Sequence, residues 1–272
     1  MSFYAAVWVE KHKPGPIAQS HAAQLQFLLM TTTTKSPVTL AIDIGGTGLK
    51  AMLLDPAGKP LSERQRIETP AVPTPKAVIA ALDELIKPFS SPISKFDRVS
   101  VGFPGVIKKG VTYTAVNLHP DWMNFHFQEE LEKRWKKPVR VANDASVQGY
   151  GAVKGDGVEL MITLGTGMGS SLFTDGKLCP GLELGHHPWK KKTYEDYLGK
   201  RGLEKHGKKD WNKLLQEAIA QTEKLFNWDH LYLGGGNAKK IDFTPPKNVS
   251  IVSNETGLLG GVALWRDDTI KR

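Results

Sequence analysis

The stretch Val38-Thr-Leu-Ala-Ile-Asp43-Ile-Gly-Gly-Thr47-Gly-Leu-Lys50-Ala-Met-Leu-Leu-Asp55 decides the fold. Two apolar runs of strand length flank a knot of glycines, which predicts a β-hairpin. Leu160 to Leu164, the turn Gly165-Thr166-Gly167-Met168-Gly169, and Ser170 to Phe173 repeat the theme of strand, glycine turn and strand. A theme met once in each half predicts an internally duplicated α/β fold.

Outward from the first hairpin, Pro70 to Pro75 reads as a loop, and Val78, Leu82, Leu85 and Ile86 recur at helical spacing. A strand from Arg98 to Gly102 runs into Phe103-Pro104-Gly105. Phe127, Leu131 and Trp135 mark another helix, and a short strand from Val139 to Ala142 delivers Asn143-Asp144 at its carboxyl end, where ligands gather in α/β sheets. A helical pattern follows from Ala145 to Val153, and another from Trp211 to Phe226. His230 to Leu233 is a strand ending in Gly234-Gly235-Gly236, and Gly257 to Trp265 is a closing helix with glycines at a close packing contact. Residues 1–36 show no period and contain Thr31 to Thr34 before Ser36-Pro37, which predicts a poorly ordered arm, with Met30 as an alternative start.

At 272 residues and 40% hydrophobic, the chain can bury the cores of two lobes. Its single cysteine, Cys179, forms no internal disulfide and no thiolate metal site, which points to a reducing, cytoplasmic setting without structural zinc. No apolar run approaches the roughly 18 to 20 residues of a membrane span. Lys11, His12 and Lys13 precede Leu25 to Met30, but Pro14, Gly15, Pro16, Gln24 and Gln26 break any export signal. The net charge of +8 favours polyanions without choosing among nucleic acid, anionic lipid and phosphate polymers.

Several motifs carry two readings each. Asp43-Ile44-Gly45-Gly46-Thr47 suits a phosphate, since glycines let N–H groups approach an anion, with Asp43 holding magnesium and Lys50 adding charge. An ordinary hairpin turn accounts for the same residues. No G-x-G-x-x-G opening a helix and no G-x-x-x-x-G-K-[ST] loop is present, which excludes the usual dinucleotide and P-loop readings. Asp144 at a strand end is the best candidate base, with Asn143 holding a neighbouring hydroxyl, although both are also preferred helix N-caps. Glu183-Leu184-Gly185-His186-His187 pairs a carboxylate with an imidazole, which suits vicinal sugar hydroxyls, His187 being a bystander. Tyr194-Glu195-Asp196 alone reads as a solvated helix start. Trp122, Trp189 and Trp211 read as packing anchors. Between Lys190 and Lys213, nine cations face four acids, a solvated face or a polyanion track.

The order Asp-Ile-Gly-Gly-Thr, Gly-Phe-Pro-Gly, Asn-Asp-Ala, Leu-Gly-Thr-Gly-Met-Gly-Ser, Glu-Leu-Gly-His and Gly-Gly-Gly, spanning Val38 to Trp265, resembles the ROK family of sugar kinases and repressors. The stretches Phe103 to Val106, Thr114 to Leu118 before Trp122, Thr163 to Phe173 and Asp175-Gly176 are most similar to its polyphosphate glucokinase branch. The cysteine cluster that holds zinc in many members is absent after His186, as it is in that branch. The resemblance implies an actin-like, ribonuclease-H-like ATPase fold, with residues 37–142 and 143–272 as two lobes around a cleft. It implies phosphoryl transfer to the 6-hydroxyl of glucose with Asp144 as catalytic base. Sugar binding carries onto Gly105, Asn117, Asn143, Asp144, Glu183, His186 and Glu195. Donor binding carries onto Asp43, Gly45, Gly46, Thr47, Lys50, Thr166, Gly167 and Gly235, with Mg2+ at Asp43. A homodimer is expected on the same ground.

For the donor, ATP needs a base pocket, whereas polyphosphate needs a cationic groove. The lysines of 190–213 with Lys108, Lys109, Lys239 and Lys240 would supply that groove, which favours polyphosphate with ATP as a second donor. A sugar-responsive ROK repressor is the alternative from another class. It would need a helix-turn-helix before the kinase-like part, and residues 1–36 are too short and too broken by Pro and Gly to make one, so neither nucleic acid nor membrane is expected as a partner.

Overall fold

Strands β1 (Thr39–Ile44) and β2 (Leu49–Leu54) pair antiparallel from Thr39 with Leu54 to Ile44 with Leu49, which is the predicted hairpin. The computed structural model describes residues 36–89, 95–115, 118–253 and 256–266. The expectations for residues 1–35, including the arm and the Met30 start, and for Asn117 lie outside them. β3 (Gln65–Ile67) extends the hairpin, and β4 (Arg98–Phe103) lies parallel to β1. A small hairpin follows, β5 (Ile107–Lys108) with β6 (Val111–Thr112), and then β7 (Val139–Asn143) completes the sheet in the order β3-β2-β1-β4-β7.

The second half repeats this plan. β8 (Val158–Leu164) and β9 (Met168–Thr174) form the second predicted hairpin, extended by β10 (Lys177–Leu178). After a short hairpin of β11 (Pro188–Trp189) and β12 (Lys192–Thr193), β13 (His230–Gly234) lies parallel to β8 and β14 (Val249–Ile251) parallel to β13. The order is β10-β9-β8-β13-β14. Both sheets therefore place an antiparallel meander beside two parallel strands, so the duplication read from the two hairpins extends to five strands in each half.

Helix α1 (Pro75–Ile86) begins where Thr74 accepts the Ala77 N–H and Pro75 fills the first turn, which needs no amide there. Its buried Val78, Ile79, Leu82, Leu85 and Ile86 cover one face of the first sheet with Phe127 and Leu131 of α2 (Phe127–Trp135). α3 (Asp144–Tyr150) leaves β7 directly and leads into the second sheet. α4 (Tyr194–Leu198) starts on a Thr193–Asp196 capping box. α5 (Lys200–Phe226) begins eleven residues before the predicted Trp211, because a break at Gly207, with φ of 72°, joins two helical segments that a single period does not span. No helix among the described residues is long and apolar enough to cross a membrane.

The closing segment departs from the sequence expectation. Only Thr256–Leu259 is α-helical (α6), and Gly260–Trp265 winds as a 3₁₀ helix. It also leaves the second sheet: Leu258 and Val262 pack on Ala41, Met52 and Leu54, and Leu264 packs on Ala142 and Val147. Ser100 Oγ donates to the Gly261 carbonyl and accepts from Trp265 Nε1, fastening the end of the chain to β4. The predicted close contact at the glycines is present, since a Cβ on Gly261 would sit 3.1 Å from that of Ala41.

Candidate active site

α3 is wedged between the carboxyl ends of the two sheets. On one side Gly102 lets Asp144 and Val147 approach β4; on the other Gly234 meets Gln148. Asn143 is the N-cap, its Oδ1 accepting from the N–H groups of Ala145 and Ser146 while its amide donates to the Gly105 carbonyl. The capping role is thus filled by Asn143, and Asp144 is left at the first helical position.

A cavity of about 500 Å³ opens there. Its walls bring together Asp43, Gly45, Gly46, Thr47 and Lys50 from the turn of the first hairpin and the strands beside it, Thr166 and Gly167 from the second turn, and Gly235 beyond β13. Gly105, Asn143, Asp144, Glu183, His186 and Glu195 line the same space. Asn117 is outside the described residues. Sequence reasoning missed Thr114, Gln148, Thr163 and Asn237, which also line it with Lys200, a member of the cationic groove drawn from the sequence. Gln148 carried a usable signal, being four residues after Asp144 and hence on the same helix face.

The two turns are held by their carbonyl groups. Thr69 and Arg66 donate to the carbonyls of Gly45 and Thr47, and Asn237 Nδ2 and the Lys200 N–H both donate to the Gly165 carbonyl. Among the described residues, the N–H groups of Gly46, Thr47, Thr166 and Gly167 donate to no backbone acceptor. Free amides on two facing glycine turns form an anion cradle, to which Lys50, 2.7 Å from Asp43 Oδ2, adds charge.

Burial pushes the Asp144 carboxyl up to about 7, with the negative charge of Asp43 the next cause and Glu183 a smaller one. Burial likewise raises Glu183, and Glu195 raises it further, while His186, with Nε2 3.8 Å from Glu183 Oε2, opposes the rise. Glu195 accepts the Met168 N–H at 3.0 Å, so it is a buttress of the second turn as well as part of the wall, not the solvated helix start its neighbours imply. A carboxyl group balanced near neutrality can take a proton from a hydroxyl brought against it.

Among the described residues no three His, Cys, Asp or Glu side chains cluster around a metal position. Asp43 and Asp144 nevertheless turn two carboxylates to one cavity that also has an anion cradle. That donor set suits magnesium, which takes one or two carboxylates and completes its shell with water and phosphate.

The cationic groove drawn from the sequence is only partly present. Of its members Lys200 alone lines the cavity, while Lys190 pairs with Glu217, Lys208 with Asp242 and Lys213 with Asp210. The tertiary fold matches Lys190 and Lys208 with acids outside the counted segment, whereas Lys213 and Lys200 pair with Asp210 and Glu204 one helical turn away.

The ROK family model matches residues 39–252. Polyphosphate glucokinase of Mycobacterium leprae (strain TN) is 28% identical over 247 residues, covering 84% of this chain and 74% of that protein. Polyphosphate glucokinase of Mycobacterium tuberculosis (strain ATCC 25177 / H37Ra) is 30% identical over 230 residues, covering 79% and 82%. The inorganic polyphosphate/ATP-glucomannokinase from Arthrobacter sp. strain KM superposes with a TM-score of 0.76 at 34% identity, covering 84% of this chain and 97% of that one. A ROK family glucokinase from Streptomyces griseus, solved with glucose and AMPPNP, shares the fold at a TM-score of 0.67 and 22% identity, covering 84% and 98%. The duplicated sheet is therefore that of the actin-like ATPase fold. Since the family match begins at the first residue of β1 and runs through β14, taking in both sheets and the cavity between them, the chain belongs to the ROK family.

Proposed function

We propose that this ROK sugar kinase is a polyphosphate-dependent glucokinase of the cytoplasm, working as a homodimer. The observation that carries the reading is the place of Asp144, on the cavity wall shared by the anion cradle and the Glu183–His186 pair. Glu183, His186, Glu195, Gly105 and Asn117 hold the sugar, and Asn143 holds the Gly105 loop and the start of α3 in place. Residues 37–142 and 143–272 act as the two lobes.

The attacking 6-hydroxyl oxygen forms its bond to phosphorus as the bridging P–O bond of the donor breaks. Asp144 takes the hydroxyl proton, and the shortened polyphosphate leaves with the electron pair. Amides of the two turns, with Gly235 and Lys50, neutralise the charge spread over the transferring group. Asp43 would hold Mg2+, which when bound supplies further positive charge to the phosphate oxygens.

A base with its proton affinity near neutrality must be unprotonated to act. In the free enzyme kcat/KM is therefore expected to rise about tenfold per pH unit below about 7 and to level off above it. A flat profile from pH 5 to 8 would remove Asp144 from this role.

Polyphosphate is favoured over ATP by Lys50 and Lys200 on the cavity wall and by the similarity to the mycobacterial polyphosphate glucokinases. Initial rates of glucose 6-phosphate formation, measured with long-chain polyphosphate and with ATP, test this. Polyphosphate is expected to be the faster donor and to slow roughly fivefold or more between about 0.05 and 0.5 M salt, as a polyanion loses its attraction to cations. A faster, salt-indifferent reaction with ATP would make the enzyme an ATP-dependent glucokinase, and no hexose phosphorylation from either donor would reject the kinase reading.

A further inference from the structure

Gln148 lies one turn after Asp144 on α3 and lines the same cavity with only 7% of its surface exposed. Its Nε2 donates to the Ser253 carbonyl at 3.4 Å, and that bond sets the amide orientation. Gly234 closes off the same end, since a Cβ there would stand 2.8 Å from Nε2. Among the described residues Oε1 accepts no hydrogen bond, and since no fully buried side-chain polar atom lacks a partner, Oε1 keeps some access in a side chain that lines the cavity. A recessed acceptor of this kind calls for a donor from a bound species.

Phosphate oxygens are acceptors and do not meet that need, and the sugar hydroxyls, which are donors, are assigned above to Glu183, His186 and Glu195. Asp43 and Asp144 place negative charge around the same space, and their mutual repulsion is part of what raises Asp144. The species that suits two carboxylates and a neutral acceptor together is a hydrated divalent cation, whose water molecules are strong donors. We propose that Gln148 Oε1 accepts a hydrogen bond from a water of the cation held at Asp43, making Gln148 an outer-shell cation residue. This rests on the kinase reading above.

Mn2+ titrated into the full chain with glucose present, free Mn2+ being followed by electron paramagnetic resonance, tests the assignment without turnover. Gln148→Met keeps the length and removes the acceptor, and is expected to weaken Mn2+ binding about tenfold. Gln148→Glu keeps an acceptor and adds charge, and is expected to bind Mn2+ at least as tightly as the wild type. A merely structural Gln148 predicts otherwise, since Glu would set a carboxylate against the Ser253 carbonyl and would do at least as much harm as Met. Mn2+ binding unchanged in Gln148→Met, equal loss in both variants, or no Mn2+ binding by a wild type that phosphorylates glucose would each overturn the proposal alone. A wild type that phosphorylates no hexose from any donor would overturn the kinase reading beneath it.

Discussion

Asp144→Asn is expected to lower kcat by about three orders of magnitude while changing glucose affinity less than about threefold. The amide matches the carboxylate in shape and can still accept the Ala145 N–H that Asp144 Oδ1 accepts now at 2.8 Å. It cannot accept a proton from the sugar. Steady-state assays at saturating glucose and calorimetric glucose titrations separate the two effects, and near-normal turnover would reject Asp144 as the base.

The same variant has a stability signature of definite sign. The Asp144 carboxyl is raised to about 7 in the folded chain, against about 3.9 when unfolded. Between those values the unfolded state has released the proton and the folded state has kept it. Folded stability therefore falls as pH rises through this window, at a slope of up to about 1.4 kcal/mol per pH unit, and the deficit is complete above about pH 7. Asn has no such proton. The melting temperature of Asp144→Asn relative to the wild type is expected to be distinctly higher at pH 8 than at pH 4.5, and an equal difference at both would contradict the burial argument.

Gly260→Ala is expected to have the largest effect of any single methyl group in the chain's closing segment. A Cβ there would lie 1.9 Å from the Val147 carbonyl oxygen and 2.7 Å from the Gly151 N–H, both backbone atoms of α3 or its end. Neither can give way without moving the helix that presents Asp144. Overpacking of this kind costs about 3 kcal/mol, or roughly 5–10 °C of melting temperature. Activity should fall at least tenfold as well, because small misplacements of reacting groups are costly. Gly181→Ala, which meets nothing within 4 Å, is the control and should melt within about 1 °C of the wild type. A Gly260→Ala variant as stable as that control would show that the closing segment does not hold α3.

The residues nearest the chemistry were legible because their signals are local. Glycines between two apolar runs announce a turn with free amides, and Asn-Asp at a strand end announces both a cap and a carboxylate. Glu195 was harder, since its neighbours read as an ordinary helix start, and only the family resemblance pointed to it. Its contact with the Met168 N–H joins residues 27 apart in the chain. Gln148 was visible by helical spacing but gained meaning only from Gly234 and Ser253, which the fold brings from more than 80 residues away.

What the amino-acid order determined by itself was the pair of strand–glycine–strand units, the caps of the helices and the identity of the polar groups at the strand ends. These follow from backbone sterics, turn chemistry and side-chain period, all set by near neighbours. Tertiary structure alone decided which lysines are neutralised by distant acids, that the closing segment returns to the first sheet, and how far burial beside Asp43 lifts the Asp144 carboxyl. Those outcomes depend on charges and surfaces meeting across the folded chain, and a linear pattern does not contain the distances between them.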